Sequence, residues 1–276
     1  MTFAAIPILF LSLAQAVLNP MSGVLLPSAA LDLGFRQMYN LQFDDAHRTL
    51  QAYEQDHPDD AMGPTSRAAA YLYGEFERLG VLQSELFVDD AMFQGRKKPP
   101  PNPAVRNAFM QELEQSNQRA DAMLARSPND PNALLAKVMD LGLEADYLAM
   151  VEKRNLAAVS RVKQASDLAE RLLRVAPDCY DAYLAIGAEN YLLSLRPAPV
   201  RWVLRIYGAQ TDKAEGIRKL QLTAERGHFL LPYARLLLAV AALRDNDHAR
   251  ARELLGGLVQ EFPNNTLYRQ ELAKLQ

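Results

Sequence analysis

The sequence predicts an all-α chain: an α-solenoid of antiparallel helix pairs with extended helices and one inserted short helix. Three observations lead there. Apolar residues recur at helical spacing, as in Leu236-Leu237-Leu238-Ala239-Val240-Ala241 and then, past Asp245-Asn246-Asp247, Ala251, Leu254-Leu255 and Leu258. Pro58, Pro128, Pro177 and Pro263 stand just beyond such stretches, where a residue lacking an amide hydrogen ends a helix. The unit of helix, polar turn, helix and proline also recurs, as in arrays whose repeats bury their apolar faces against one another.

Bulk composition narrows the functional classes. Of 276 residues, 49% are apolar and 23% charged, which suits a soluble, well-buried helical protein. A net charge of −3 gives no electrostatic footprint for nucleic acid, so no nucleic-acid partner is expected. Cys179 is the only cysteine, which excludes an internal disulfide and any multi-cysteine metal or redox motif. It reads as a small, mostly buried residue beside Pro177, with a reactive thiol as the alternative.

The first thirty residues differ in kind. Phe3 to Ala16 carries no charge, and Ile6, Ile8, Leu9, Phe10, Leu11 and Leu13 form an apolar run ending in Ala14-Gln15-Ala16. This predicts a signal peptide over 1–16, cleaved after Ala16, and hence an exported, periplasmic or secreted protein. No Lys or Arg precedes the run, so an uncleaved membrane anchor and a buried first helix stand as alternatives. A linker over 17–30 then leads to a repeat domain over 31–276, with inserts near 94–103, 144–163 and 194–211.

In order along that domain, Leu33-Gly34 forms a large-small pair, and Phe43 with Ala46 opens the second helix, followed by Leu50 and Pro58. A weaker second helix, with Ala120 and Leu124, precedes Pro128. Ala165, Ala169, Leu172 and Pro177 form another, and Tyr183, Ile186 and Gly187 open the next first helix. The final unit carries Leu238-Ala239, Ala251, Leu255, Leu258 and Pro263. Small residues at these places let two helices cross closely while large ones fill between.

This set of positions resembles the tetratricopeptide repeat, a 34-residue pair of antiparallel helices. The stretch from Gly187 through Tyr191, the Arg-Trp segment and Asp212 to Gly216 is further similar to an exported bacterial group of such proteins. It is distantly like the tetratricopeptide-39 and inclusion-body-clearance type. Proline spacing marks the irregularities: Pro58 to Pro128 is 70 residues, Pro128 to Pro177 is 49, and Pro177 to Pro263 is 86. Longer helices through Glu144–Lys163, with Tyr147, Val151, Leu156 and Val159 at helical spacing, absorb part of the excess. Gln94–Pro103, with three consecutive prolines, reads as an extended loop, or alternatively as a polyproline ligand.

Enzyme signatures are absent: no nucleophile elbow, phosphate loop or dinucleotide fingerprint, so no catalytic residue, cofactor or metal is expected. Glu225-Arg226-Gly227-His228 has one carboxylate-histidine spacing of a di-iron bundle and lacks the second. An enzyme with a cryptic site among the helices is the alternative from another class.

The resemblance implies an inner wall built by the first helix of each pair: Leu31, Phe35, Met38 and Tyr39, then Thr65, Ala69, Leu72 and Tyr73, then Leu184, Ala188, Tyr191 and Leu192, then Leu236, Val240 and Leu243. Where chaperone-binding members place a carboxylate clamp, this chain has Leu31, Phe35, Thr65, Ala69, Leu184 and Ala188, so no such ligand is expected. The wall either receives an apolar segment of a partner, with Tyr39, Tyr73 and Tyr191 as anchors, or is filled by the chain's own inserts. The segment from Pro197 can run as two helical turns after Pro199, stopped by Gly208. Its Arg201, Trp202 and Arg205 either brace neighbouring repeats, contact a partner or touch a membrane, the last weakly for so short a helix. The expected function is a non-catalytic scaffold holding a protein or peptide outside the cytoplasm. A membrane-tethered envelope assembly factor is the alternative if the leader stays uncleaved.

Overall fold

A computed structural model describes residues 28–81, 99–206 and 208–275. The apolar leader and most of the proline-rich loop lie outside the described residues. Within them the chain is all-helical, with no strand. The helices are α1 Ala29–Tyr39, α2 Phe43–Asp56, α3 Met62–Leu79, α4 Pro103–Arg126, α5 Pro131–Asp146 and α6 Asn155–Val175. They continue as α7 Tyr183–Ser194, α8 Ala198–Ile206, α9 Lys213–Arg226, α10 Leu231–Arg244, α11 His248–Glu261 and α12 Thr266–Ala273.

Local chemistry sets the helix ends. Pro58, Pro128, Pro177 and Pro263 each follow the close of a helix, respectively α2, α4, α6 and α11. Pro103 and Pro131 occupy first turns, where the missing amide has no intrahelical partner to lose. The Asp130 carboxylate accepts from the Asn132 and Ala133 amides at 3.0 Å, and Asn102, Asp212, Asp247 and Asn265 cap their helices likewise.

Packing follows chain order. Each helix lies on its sequence neighbours, with α1 also touching α3 and α3 touching α5, while α7 packs directly on α9 and leaves α8 outside the series. The α7–α9 crossing is close: a Cβ added at Gly216 would stand 2.5 Å from the Tyr191 amide nitrogen, and one at Gly187 would stand 2.9 Å from that of Leu220. Ala46, Ala120, Ala165, Ala169 and Ala251 are all buried, as their helix-crossing positions require. Leu33 departs from its expected packing role, since it is 47% exposed while its neighbour Gly34 meets Leu50.

Two further features were not anticipated. Between the helices that share 144–163, α5 passes into a π-helical turn, Tyr147–Val151, and Lys153 adopts φ +58 before α6 starts. The chain also brings its first helix against its last ones. The Tyr39 hydroxyl donates to the Phe229 carbonyl at 3.0 Å, and the Asn265 side-chain amide donates to the Tyr39 carbonyl at 2.8 Å. The Asn264 amide donates to the Asn40 side chain at 3.1 Å. The Tyr39 ring lies 5.6 Å from Tyr73 and 5.4 Å from Phe262, and Phe35 stacks on Phe229 at 4.7 Å.

Candidate functional site

Facing helices enclose a central, partly open cavity of about 90 Å³. α1 supplies Phe35, Met38 and Tyr39, α3 supplies Ala69 and Tyr73, and α7 supplies Leu184, Ala188 and Leu192. These eight belong to the inner wall expected from the sequence. The rest of the lining includes Gly142 and Asp146 on α5, Ala165 on α6, and Tyr233 and Leu237 on α10.

Two carboxylates break this apolar lining. Asp181 is buried, and its oxygens accept from the His228, Phe229 and Leu230 amides at 2.9, 3.0 and 3.0 Å. Those bonds fix the turn that carries Phe229 to α1. Burial nonetheless pushes the Asp181 carboxyl above its ordinary range, so desolvation outweighs the three amides. Asp146 ends α5 immediately before the π-helical turn, and its Oδ2 accepts from the Tyr233 hydroxyl at 2.9 Å. Burial pushes this carboxyl up to about 6, opposed by that hydroxyl.

A separate polar cluster sits deeper. The Ser116 hydroxyl donates to Asp140 at 2.6 Å and the Thr65 hydroxyl at 3.0 Å, and all three side chains are buried between α3, α4 and α5. Burial outweighs the two hydroxyls and raises Asp140 to about 7. Nearby, Arg67 pairs with Glu54 at 2.9 Å and Glu112 at 3.0 Å, tying α2, α3 and α4 together. These groups are braces. They are not among the residues that line the central cavity.

No protein-family model, no curated protein and no solved structure matches this chain.

The six residues singled out in the sequence fall into three environments. Tyr39 and Tyr73 wall the cavity but are themselves buried at the meeting of α1 with the C-terminal helices. Tyr191 lies on the α7–α9 crossing, away from the cavity lining, with its buried hydroxyl lacking a hydrogen-bond partner among the described residues. A partner could reach none of these three rings unless helices separated, so they do not stand as anchors on an open groove.

Arg201, Trp202 and Arg205 lie together on α8. The Arg201 guanidinium donates to the carbonyls of Ser194 and Arg196 at 3.2 and 3.0 Å, and Arg205 donates to the Thr211 hydroxyl at 2.6 Å. The two arginines thus fasten the insert to its own chain. Trp202 is 66% exposed and Ile206 62% exposed, with Val200 and Val203 also exposed. Helical spacing puts Pro199, Trp202, Val203 and Ile206 on one side, opposite the arginines.

Asp140, Asp146 and Asp181 belong to no sequence motif and were not expected at a site. A signal existed for the first: a lone carboxylate inside the apolar stretch Leu134–Leu143 must find partners if the helix is buried. Among the described residues no cluster of three or more His, Cys, Asp or Glu could hold a metal ion, and no helix is long and apolar enough to cross a membrane.

Proposed function

We propose that this chain is a non-catalytic protein–protein interaction scaffold acting outside the cytoplasm. Its helices are taken as tetratricopeptide-like antiparallel pairs, and α8 is its contact element. The exposed apolar face of α8 carries the reading. Three large apolar side chains there, Trp202, Val203 and Ile206, stand in solvent on a helix with no buried residue. Leaving such a face in water is unfavourable unless another surface covers it, and tryptophan is the side chain most enriched at binding hot spots. From Tyr191 to Thr211 the chain has three arginines and no carboxylate, which fits a protein partner with an apolar furrow rimmed by acidic groups. Export is supported by the apolar run and small-residue motif of residues 1–16.

A photo-crosslinking amino acid at position 206 tests the contact, with the same probe at exposed Glu253 as control. A defined protein adduct at 206, absent at 253 and lost on Trp202→Ala in a protein of unchanged melting temperature, supports the scaffold. No adduct at 206 in the protein's own compartment overturns it. Mass spectrometry of the mature N-terminus tests export: a chain beginning at Val17 supports a cleaved leader, and one retaining Met1 in a membrane fraction supports the tethered form.

A further inference from the structure

The central cavity has a feature that core packing does not explain. Gly142 lies in the interior of α5, where glycine is disfavoured relative to alanine. At the α7–α9 crossing, glycine permits close approach. At Gly142, a Cβ would meet nothing within 4 Å, so no neighbouring atom excludes a side chain. What the missing side chain leaves is space, and Gly142 lines the cavity. Ala69, Ala165 and Ala188 on three other helices keep the opposite walls short.

The wall carries charge of one sign. Among the described residues Asp146 and Asp181 are the only charged ones in the lining, with no Lys, Arg or His. The Asp181 oxygens are taken by three backbone amides. Among the described residues Asp146 accepts one hydrogen bond, at Oδ2 from the Tyr233 hydroxyl. Asp146 also keeps partial exposure, unlike Asp140 and Asp181. The π-helical turn that follows it belongs to a rare class of distortion concentrated at functional sites.

We propose that the central cavity binds a small apolar amine, whose alkyl body fills the space beside Gly142 and whose ammonium group pairs with the Asp146 carboxylate. An anion would meet two carboxylates and no cation there. A strongly polar neutral ligand would bury its hydroxyls against alanine and leucine without partners. Size limits the body: scaled from a cavity of about 150 Å³ that takes benzene, about 90 Å³ holds roughly four apolar heavy atoms. The site is independent of the α8 contact, so either can fail without the other.

The test is calorimetric titration of the full chain at pH 8 with isobutylammonium, isobutanol and isobutyrate, which share a branched body and differ in head group. Isobutylammonium should bind at least tenfold more tightly than isobutanol, and isobutyrate should give no heat of binding. Asp146→Asn should bring the amine down to the level of the alcohol. Gly142→Leu should abolish binding of both, with a melting temperature equal to or above the wild-type value. Equal affinity for amine and alcohol in the wild type, or amine binding that survives Gly142→Leu, overturns the proposal. Should Asp146→Asn fail to fold, the three-probe comparison and the Gly142 variant still decide.

Discussion

Removing the Asp181 carboxylate should release the turn that carries Phe229 to α1. In Asp181→Ala the amides of His228, Phe229 and Leu230 lose acceptors now at 2.9–3.0 Å. Hydrogen bonds to a charged group contribute about 1.5–3 kcal/mol each, so three give roughly 5–9 kcal/mol before offsets. The carboxylate's own burial, visible in its raised pKa, takes back a large share. The net loss should be about 3–5 kcal/mol, the range found when one partner of a buried charged arrangement is removed. Downstream, Phe229 would lose its fixed stack on Phe35, and the Tyr39 hydroxyl its carbonyl acceptor. Asp181→Asn makes a sharper comparison. One side-chain oxygen can still accept from His228 and Leu230, but an NH₂ group then faces the Phe229 amide, so its loss should be about half as large. Urea unfolding gives the free energies, and hydrogen exchange at Phe229 and Leu230 locates the effect. A loss under about 1 kcal/mol for Asp181→Ala would refute the assignment of this residue as the pin of the turn, as would an Asn variant as unstable as the Ala one.

Other consequences can be checked on the same purified protein. Gly216→Ala should destabilise by about 3 kcal/mol in urea titrations, because its Cβ would meet the Tyr191 backbone at 2.5 Å; Gly256→Ala should stabilise by about 0.5–1 kcal/mol, since its Cβ meets nothing within 4 Å. Asp140 has a folded-state pKa of about 7 against an ordinary 3.8, so the folded state holds its proton more tightly. The resulting stability is fully present below about 4 and lost as pH rises through about 7, with a slope of at most about 1.4 kcal/mol per pH unit. Asp140→Asn should flatten that part of the stability–pH curve, and an unchanged slope would assign it to other groups. Burial raises the Cys179 thiol to about 12, so alkylation by iodoacetamide at pH 8 should be at least about a hundredfold slower in the native protein than in urea.

The sequence by itself determined the helical character of this chain and most of its punctuation, because these depend on interactions within a few residues. Each of Pro58, Pro128, Pro177 and Pro263 ends a helix for lack of an amide hydrogen, and buried Ala46, Ala169 and Ala251 mark crossings that tolerate only small side chains. The inner-wall positions came from the resemblance, and Phe35, Tyr39, Ala69, Tyr73 and Ala188 of α1, α3 and α7 do line one cavity. Only the tertiary structure decided what that wall encloses. Whether an array stays open or brings its ends together depends on small rotations accumulated between helices, and no local pattern records them. The contacts of α1 with the later helices join residues nearly two hundred positions apart or more, such as Tyr39 with Phe229 and Asn265. That distance turned expected groove anchors into core. It also brought the Asp146 carboxylate at the end of α5 to the Tyr233 hydroxyl on α10 across an apolar cavity. The arginines and tryptophan of α8 were visible as a motif, but which side faced water followed from where the carbonyls of Ser194 and Arg196 lay.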